Sequence, residues 1–416
     1  MTGRDGGAAA ATRPPATVEG DAFRFARGAA AVGQSQLREI LGRAAQPGVI
    51  SFAVGQPATE LFPAADLAAA NASLLPAHPE CLRYGLPAAP LKDQVVALMA
   101  GRGVACRREQ VFLTSGAQQA MDLLTRLLLD PGGQVLIEET VYDGLQMAVK
   151  GLAPQILTVR TDLDTGLDVD AVEALLVRGA RPAFVYAIPS GHNPLGVSLP
   201  LAKRRRLAEL ARRYRVPILE DDAYGFLSYD EDPAPPLRAL EDRWVFYLGS
   251  FSKTLAPALR AGWTVVPEEL IPRLSALKHA TDLDTPSYSH WTIARYLESG
   301  KFPAHLARVR GEYRRRRDAM LQALARQFPR EARWNRPASG MFIWVELPAG
   351  VDATMLLTAA IDRERVAFSP GDAFAAGGSR HARHCLRLGF THLPPEQIAE
   401  GIARLARAVR GARPER

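Results

Sequence analysis

One lysine lies between serine and arginine residues in the stretch 244–263, WVFYLGSFSKTLAPALRAGW. The first five residues of this stretch, WVFYL, are apolar and do not alternate with polar residues. Such a run is typical of a strand buried on both faces of a sheet. Ser250, Ser252 and Arg260 flank Lys253. Hydroxyl and guanidinium groups around an amine could hold a phosphate beside a nucleophilic nitrogen, so the segment could support covalent amine chemistry on a phosphorylated ligand.

Lys253 is distinctive because only six of the 51 lysine and arginine residues are lysines. Arginine stays protonated in proteins, whereas lysine can lose its proton and act as a nucleophile. The simpler alternative is a solvated surface charge, the usual state of lysine. A position in a loop of small residues after an apolar strand favours the chemical role.

A second candidate phosphate site is the turn Ser115-Gly116-Ala117-Gln118. It follows a short apolar strand at 111–114 and opens a helix with apolar residues at 120, 123, 124, 127 and 128. Backbone N–H groups and the positive end of the helix dipole point outward at such a turn. A plain helix cap is the alternative. The serines and arginine of the lysine segment favour phosphate binding.

The pattern S-x-S-K-T-x-x-P-x-L-R-x-G-W at 250–263 resembles the lysine segment of fold-type-I aminotransferases, which depend on pyridoxal 5'-phosphate. The sequence EDDAY at 220–224 fits the D-x-x-Y pattern of that family. VISFAVGQPATELFP at 49–63 is similar to a segment of the 2-aminoadipate, aromatic and branched-chain subgroup. The resemblance covers most of the chain, from near residue 35 to near residue 410.

The resemblance implies transamination between an α-amino acid and a 2-oxo acid by a ping-pong mechanism. Lys253 would hold the cofactor as a Schiff base and then move the proton at the substrate Cα. Asp221 would pair with the ring nitrogen, and Tyr224 and Asn193 would hydrogen-bond the phenolic oxygen. Tyr142 would stack on the ring. The residues implied to bind the phosphate side are Ser115, Gly116, Ala117, Gln118, Ser250, Ser252 and Arg260.

The resemblance also implies how substrate and subunits meet. Arg387, in the strand-like LRLGF, would grip the substrate carboxylate, with Gly55 and Asn193 against the substrate. Arg38 would lie near the substrate side chain, which favours glutamate or 2-aminoadipate in one half-reaction and a less common amino acid, from specialised metabolism, in the other. Tyr84 would reach the phosphate of a neighbouring subunit, so we expect a homodimer with shared active sites.

Alternating strands and helices must position these residues. Three strand-like runs alternate with helical stretches, which predicts a mostly parallel sheet covered on both faces. These runs are 134–137, 183–188 and 216–219, with a further run at 263–266. Ligands gather at the carboxyl ends of strands in such sheets. The residues that follow the strands are Tyr142, Asn193, Asp221 and Lys253.

The predicted fold class is α/β, of fold type I. We expect a large domain with a mostly parallel seven-stranded sheet covered by helices, and a smaller α+β domain. Residues 1–33, rich in Ala, Gly and Arg, are predicted to be a disordered or mobile arm. A helix within 34–50 would pack with the small domain, 51–290 would bind the cofactor, and 291–416 would form the small domain.

Composition limits the partners. Apolar residues make up 47% and charged residues 23%, typical of a globular protein, and no apolar run reaches the roughly 18 residues of a membrane span. Three scattered cysteines favour free thiols, a cytoplasmic location and no metal site. The net charge of +7 is compatible with binding to nucleic acid. However, the arginine runs 204–206 and 314–317 lie in helical patterns, so we interpret them as solvated helix faces.

The sequence departs from the family pattern at two places. Asn193-Pro194-Leu195-Gly196 replaces the usual Asn-Pro-Thr-Gly, and His192 precedes it where relatives tend to have glutamine. The loop after Tyr84 is shortened to YGLPAAPLK and lacks the second glycine. We expect both near the substrate entrance, so they affect the identity of the substrate more than cofactor binding.

Two other functions fit parts of the pattern. A lyase, cyclase or oxidase could use the same scaffold and cofactor. An effector domain of a transcription regulator would need a winged-helix module ahead of it, and we expect the residues before Gln34 to be too few for one. Equal yields of a 2-oxo acid and an aminated acceptor would identify a transferase.

Overall fold

The computed structural model describes residues 25–33, 40, 42–85, 88–230, 233–348 and 350–412. Helices alternate with strands in the first two thirds and dominate the last third. The helices are Arg27–Ala31, Ala64–Ala77, Ala89–Ala100, Ala117–Leu128, Asp143–Lys150, Val169–Val177, Leu201–Tyr214, Ile271–Asp282, Ser287–Glu298, Phe302–Gln327, Ala353–Glu364 and Pro395–Gly411. The strands are β1 (Ile50–Ser51), β2 (Val111–Thr114), β3 (Gln134–Glu138), β4 (Gln155–Val159), β5 (Thr161–Asp162), β6 (Gly166–Leu167), β7 (Val185–Ala187), β8 (Ile218–Asp221), β9 (Val245–Ser250), β10 (Gly262–Val265), β11 (Arg333–Trp334), β12 (Phe342–Glu346), β13 (Val366–Ala367), β14 (Ser369–Pro370) and β15 (Cys385–Gly389).

Seven strands form the main sheet, in the order β2-β10-β9-β8-β7-β3-β4. β10 is antiparallel to both of its neighbours, and the other four pairings are parallel. The predicted mostly parallel seven-stranded sheet is confirmed. β4 was not predicted because it lies at the sheet edge, where its residues are mostly half-buried or exposed and lack a continuous apolar run.

The central strands are buried because helices cover both sheet faces. Neighbouring side chains of β8 belong to different apolar clusters: Ile218 packs with Val185 and Val245, and Leu219 packs with Tyr186 and Phe246. Successive side chains of a strand point to opposite faces, so this split shows a core on each side. Covered faces leave the strand ends as the place where polar groups can meet a ligand.

A second, antiparallel sheet forms from the C-terminal part of the chain, in the order β11-β12-β15-β14. Its register places Trp344 opposite Arg387. The helices Phe302–Gln327 and Pro395–Gly411 pack together beside it through buried residues such as Leu324 and Leu405. β1 pairs in parallel with β13, so the segment around residue 50 joins these C-terminal elements.

The arginine runs differ from the prediction. Arg204, Arg316 and Arg317 are buried, so the interpretation of these runs as solvated helix faces was wrong for all three. Arg204 donates to the carbonyl oxygens of Leu199 and Pro189, at 2.8 and 2.6 Å. Five donors on one side chain can satisfy several carbonyl groups at once, which explains how these guanidinium groups lie inside the protein.

Within the described ranges, no helix combines the length and apolar character needed to cross a membrane. The same residues contain no group of three or more histidine, cysteine or acidic side chains arranged to hold a metal ion.

Candidate active site

The carboxyl ends of β7, β8 and β9 bring three predicted residues to one edge of the sheet. Asp221 ends β8 and pairs in register with Leu248 of β9. Asn193 follows β7, and Lys253 follows β9 in a turn. The three segments come from distant parts of the sequence, and the parallel pairing places their ends side by side.

The Lys253 amine donates a hydrogen bond to the carbonyl oxygen of Gly55, at 2.8 Å. The surrounding protein, together with the charge of Arg387, lowers the pKa of Lys253 to about 8, although the charge of Asp221 opposes this shift. A lysine with such a pKa is partly neutral near neutral pH. Lys253 can therefore act as a nucleophile and accept a proton.

Asp221 is held by a residue that the sequence analysis did not identify. The hydroxyl of Tyr186 donates to Oδ2 of Asp221 at 2.7 Å, and the Ala223 N–H donates to Oδ1 at 3.4 Å. Burial raises the pKa of Asp221 above its usual value, and the bond from Tyr186 opposes that rise. Tyr186 lies inside the apolar run of β7. The available signal was its hydroxyl, which needs a partner in a buried strand.

Arg387 is buried, with 3% of its surface exposed. Its Nη1 donates to the side-chain oxygen of Asn193 at 2.8 Å, and its Nη2 donates to the Ala53 carbonyl at 2.7 Å and to Oγ of Ser369 at 3.3 Å. Its Nε has no hydrogen-bond partner among the described residues. The guanidinium group is thus oriented by neutral acceptors, without a carboxylate partner in these bonds, and it can receive an anion.

Two aromatic rings pack against Arg387. The central guanidinium carbon lies 4.2 Å from the ring centre of Phe342 and 4.6 Å from that of Phe374. Burial among these groups lowers the pKa of Arg387 to about 10, so it remains charged at neutral pH. A Cβ at Gly55 would overlap the Phe342 ring, so only glycine fits beside this aromatic contact. Neither phenylalanine was predicted from the sequence to lie in the site.

Tyr224 and Asn193 form a hydrogen bond, and both are buried. Burial raises the pKa of Tyr224 above its usual value, so the hydroxyl stays protonated. Tyr142 is half-buried at the start of the helix Asp143–Lys150, and burial with the nearby Asp221 charge raises its pKa to about 12. Three neutral donors or acceptors therefore surround the site.

The predicted phosphate-binding residues also come together. Arg260 donates through Nη2 to the Ser115 carbonyl at 2.8 Å and through Nη1 to Oγ of Ser252 at 3.4 Å. Oγ of Ser250 accepts from the Ser252 N–H at 3.1 Å. Gly116 has φ of 81°, and a Cβ there would lie 2.7 Å from Nη2 of Arg260. Arg260 can approach the turn only because this residue is glycine.

The helix Ala117–Leu128 starts at this turn, so its first N–H groups lack partners within the helix. Gln118 donates to the Gly144 carbonyl at 2.8 Å, which fixes the turn against the segment that carries Tyr142. Hydroxyls, a guanidinium group and a helix N-terminus meet here, and this set can bind a phosphate.

His192 lies away from solvent. Its Nε2 is 2.9 Å from the Glu138 carboxylate, and each side chain is 2% exposed. Its Nδ1 accepts from the Leu195 N–H at 3.3 Å, and the Leu195 carbonyl accepts from Asn335 at 2.6 Å. His192 and Leu195 are therefore part of the support of the Asn193 loop. The expectation that they lie at the substrate entrance is replaced by this buried position.

Two predicted residues stay outside this group. Tyr84 is 89% exposed, and the adjacent Gly85 N–H donates to Asp284 at 2.8 Å. Arg38 lies outside the described residues.

The site fits one kind of ligand. A buried carboxylate at Asp221 suits a protonated ring nitrogen, the turn at Gly116 suits a phosphate, and Lys253 supplies an amine with a lowered pKa. A side chain in place of the Gly116 hydrogen would fill the phosphate cradle beside Arg260. Pyridoxal phosphate contains the matching groups, so the residues present fit this cofactor.

Comparison with known proteins also indicates an enzyme that uses pyridoxal phosphate. Residues 47–405 match the family model for aminotransferase class I and II. The chain is 40% identical over 394 residues to 2-aminoadipate transaminase of Thermus thermophilus, covering 93% of this chain and 96% of that protein. It is 36% identical over 395 residues to aromatic-amino-acid aminotransferase 1 of Thermococcus litoralis, covering 93% of this chain and 94% of that one.

Solved structures give the same result. The α-aminoadipate aminotransferase of Thermus thermophilus, complexed with N-(5'-phosphopyridoxyl)-L-leucine, superimposes with a TM-score of 0.86 at 39% identity, covering 93% of this chain and 97% of that one. The kynurenine aminotransferase of Pyrococcus horikoshii superimposes with a TM-score of 0.88 at 34% identity, with 93% and 97% covered. The chain belongs to the class I and II aminotransferases, enzymes of fold type I that use pyridoxal 5'-phosphate.

Proposed function

We propose that Lys253, Asp221 and Tyr224 are the catalytic residues of this aminotransferase, and that its substrates are α-amino acids and 2-oxo acids bound through Arg387. One observation carries the proposal. The segment around residue 54 connects the two cations, because the Ala53 carbonyl accepts from Arg387 and the Gly55 carbonyl accepts from Lys253. A substrate that carries a carboxylate and an amine on one carbon matches a guanidinium and an amine held by the same short segment.

Each residue has a proposed task. Pyridoxal phosphate, when bound, supplies an aldehyde for the amino group and a cationic ring that accepts the electron pair released at the substrate Cα. Lys253 Nζ would accept the proton from the substrate Cα. Asp221, oriented by Tyr186, would hold the proton on the ring nitrogen. Tyr224 and Asn193 would bind the phenolic oxygen, and Tyr142 would stack on the ring.

The phosphate would be held by the turn and the hydroxyls next to Arg260. The proposed residues are Ser115, Gly116, Ala117, Gln118, Ser250, Ser252 and Arg260. Arg387 would bind the substrate carboxylate, with Gly55 and Asn193 beside it. For the side chain, we propose that Arg38 favours an acidic tail such as that of glutamate or 2-aminoadipate, with a different amino acid in the second half-reaction.

We propose a homodimer in which Tyr84 completes the phosphate site of the second copy. Support comes from the exposure of Tyr84, Leu82 and Leu283, at 89%, 67% and 60%. The Gly85–Asp284 hydrogen bond brings the segments that carry these side chains together, and a contiguous exposed apolar patch is typical of a protein interface. We also propose a cytoplasmic location, supported by three free cysteines, and a division into a cofactor-binding domain at 51–290 and a smaller domain at 291–416.

Borohydride reduction followed by peptide mass spectrometry tests the role of Lys253. The cofactor mass should appear on the peptide that contains Lys253, and Lys253→Ala should lose both the label and turnover. The matched control is Lys150→Ala, since Lys150 is an exposed lysine at a helix end. A label on another lysine would overturn the assignment.

A donor panel tests the role of Arg387. Glutamate, 2-aminoadipate and aromatic amino acids are compared with 4-aminobutyrate, which lacks an α-carboxylate. Arg387→Ala should lower kcat/KM, and the loss of transition-state binding calculated from the ratio should be about 2 to 5 kcal/mol. The reason is that the substrate carboxylate loses its buried cationic partner. Equal yields of 2-oxo acid and aminated acceptor are expected. Rapid turnover of 4-aminobutyrate, or a 2-oxo acid formed without an aminated acceptor, would contradict the proposal.

A further inference from the structure

Asp222, next to Asp221, forms a buried ion pair with Arg102 that has no role in the chemistry described above. Arg102 Nη2 lies 3.0 Å from Oδ2 of Asp222, and the two side chains are 7% and 0% exposed. Building on the proposed role of Asp221, we propose that Arg102 and Asp222 are positioning residues that hold Asp221 and Tyr224 toward the cofactor ring and keep the charge behind Asp221 balanced.

The pair is enclosed on several sides. The Tyr247 hydroxyl donates to Oδ2 of Asp222 at 3.0 Å, and the guanidinium carbon of Arg102 lies 5.0 Å from the ring centre of Phe226. Arg102 follows the helix Ala89–Ala100, and Asp222 follows β8. The ion pair therefore joins two elements that are far apart in the sequence.

The pair also fills the turn that carries the proposed catalytic residues. A Cβ at Gly225 would overlap the carboxylate of Asp222 and the guanidinium of Arg102. The Gly225 N–H donates to the Asp222 carbonyl at 3.2 Å, and the Leu227 N–H donates to the Tyr224 carbonyl at 2.7 Å. Gly225 has no positive φ, so space is what requires glycine here. The turn is folded around the ion pair.

The charges around Asp221 explain why the pair must be balanced. Tyr186, Asp222 and Lys253 face Asp221, and the Asp221 charge acts in turn on Tyr142 and Tyr224. The charge of Asp222 raises the pKa of Asp221, and burial with Asp222 raises the pKa of Glu220 to about 7. The groups around Asp222 itself are Arg102, Tyr247, Glu220 and Arg204.

Removing one member leaves a buried charge without its partner, which is strongly unfavourable, whereas removing both leaves no net charge. In Asp222→Asn the Arg102 cation has lost its carboxylate partner. Its positive charge then disfavours protonation of the cofactor ring nitrogen, which lies on the other side of Asp221 in the proposed arrangement. In Arg102→Met/Asp222→Asn this repulsion is absent. A purely structural role predicts a double variant as impaired as the single variant, or more so.

The test uses holoenzyme loaded with cofactor labelled with 15N in its ring. The 15N chemical shift, followed against pH, reports the protonation of the ring nitrogen. In Asp222→Asn the nitrogen should lose its proton at a lower pH than in the wild type. The double variant should return toward the wild-type midpoint. Arg107→Met, which breaks an exposed ion pair with Glu268, is the matched control and should leave the midpoint unchanged.

An unchanged midpoint in folded Asp222→Asn, or a double variant shifted as far as Asp222→Asn, would overturn the proposal. If Asp222→Asn does not fold, Arg102→Lys, which keeps the cation, and the double variant are compared. Both should bind cofactor with a midpoint near that of the wild type, and a shifted midpoint in the double variant would be contradictory. Borohydride labelling of Lys253 in every variant separates this result from the proposed function, because loss of that label would concern Lys253 alone.

Discussion

At the scale of single residues, the candidate active site brings together the Lys253 amine and the Arg387 guanidinium, two positive charges that repel each other. Arg387 contributes to the low pKa of Lys253, about 8, while burial has the larger effect. The lysine is thus neutral over part of the physiological pH range, which an exposed lysine is not. The pKa of Lys253 thus depends in part on a buried neighbour from β15, a strand that comes much later in the chain.

This yields a prediction for the protein without cofactor. Competitive labelling with acetic anhydride against pH should give a midpoint near 8 for Lys253, because the folded protein disfavours its charged form. Arg387→Met should move that midpoint upward, since it removes a nearby positive charge. The label is quantified by peptide mass spectrometry, with the exposed Lys150 as internal standard. A midpoint unchanged by Arg387→Met would show that the two charges do not interact.

His192 supports a second prediction at this scale. Nε2 of His192 lies beside the buried Glu138 carboxylate, and Asn193 orients Arg387. His192→Gln keeps a polar side chain beside Glu138 and should retain turnover. His192→Leu places an apolar side chain against the buried carboxylate, at a cost of about 1 to 3 kcal/mol in stability.

Kinetics and thermal melting check this prediction. In His192→Leu, KM for the amino acid should rise more than kcat falls, because the Asn193 loop shifts and Arg387 loses its orientation. A fall in kcat alone, with unchanged KM, would place His192 in the chemical step.

The residues of the site could be predicted to the extent that each has a distinctive type. Lys253 was predicted because a lysine flanked by serines and an arginine follows an apolar strand, and Asp221 because the D-x-x-Y pattern of the resembling family selects it within EDDAY. Tyr186 and Phe342 look like ordinary core residues in a sequence, and only the fold reveals that they contact Asp221 and Arg387. Their roles depend on contacts across strands, which no local pattern encodes.

At the scale of elements, a short segment connects the two sheets. The Phe52 carbonyl accepts from the Gly389 N–H at 2.8 Å, and the Ala53 and Gly55 carbonyls accept from the two active-site cations. The hydroxyl of Thr391 donates to the Gln56 carbonyl at 2.8 Å. The segment thus runs from the C-terminal sheet to the lysine turn with its carbonyl groups engaged at several positions.

Gly55→Ala tests the packing of that segment. The new Cβ would overlap the Phe342 ring, so we expect a loss of about 1 to 3 kcal/mol in the free energy of unfolding. Turnover should fall as the Gly55 carbonyl moves away from Lys253. Urea unfolding measures the first effect and steady-state kinetics the second.

Gly311→Ala is the control, because Gly311 lies in the helix Phe302–Gln327 and a Cβ there meets nothing within 4 Å. It should stabilise the protein by about 0.5 to 1 kcal/mol. Gly55→Ala/Phe342→Leu should recover part of the lost stability. Equal stability of Gly55→Ala and the wild type would refute the steric argument.

The elements that could be predicted are the ones with a strong local pattern. The apolar runs 216–219 and 244–248 predicted strands, and the structure places β8 and β9 over most of these residues. β4 lies at the sheet edge, and its residues are mostly half-buried or exposed without regular alternation, so its sequence pattern is weak. The arginines of the helix Leu201–Tyr214 could not be placed from spacing alone, because burial of Arg204 depends on carbonyl groups at Pro189 and Leu199 that the fold brings near.

At the scale of the whole molecule, three exposed large apolar side chains lie on segments that are hydrogen-bonded to one another or to the phosphate turn. Tyr84 and Leu82 are highly exposed, and Gly85 is bonded to Asp284, next to the exposed Leu283. Gln119 accepts from the Ser115 N–H at 2.8 Å and donates to Asp282 at 2.5 Å, which links this region to the turn. We predict that a second copy covers this surface and that its Tyr84 reaches the phosphate site.

The proposed sharing of sites between two copies predicts that two inactive variants restore activity when they are mixed. In a dimer in which each site uses Lys253 of one copy and Tyr84 of the other, a hybrid of Tyr84→Ala and Lys253→Ala has one site with both native residues. Its other site carries both substitutions. Random reassociation of equal amounts should therefore give roughly a quarter of the wild-type number of intact sites, because half of the dimers are hybrids with one intact site each.

The measurement mixes the two variants in mild denaturant, removes the denaturant and assays turnover, with sedimentation to record the oligomer. Activity should exceed the average of the two variants assayed separately, and Tyr84→Phe alone should weaken cofactor binding by about 1.5 to 3 kcal/mol through loss of a charged hydrogen bond. Mixing Lys253→Ala with Lys253→Ala/Tyr84→Ala is the control and should restore nothing, since no copy supplies the lysine. Two results would contradict a role for Tyr84 in the site of a second copy. One is activity of the mixture equal to the average of the two variants assayed separately, and the other is full activity of a protein that sediments as a monomer.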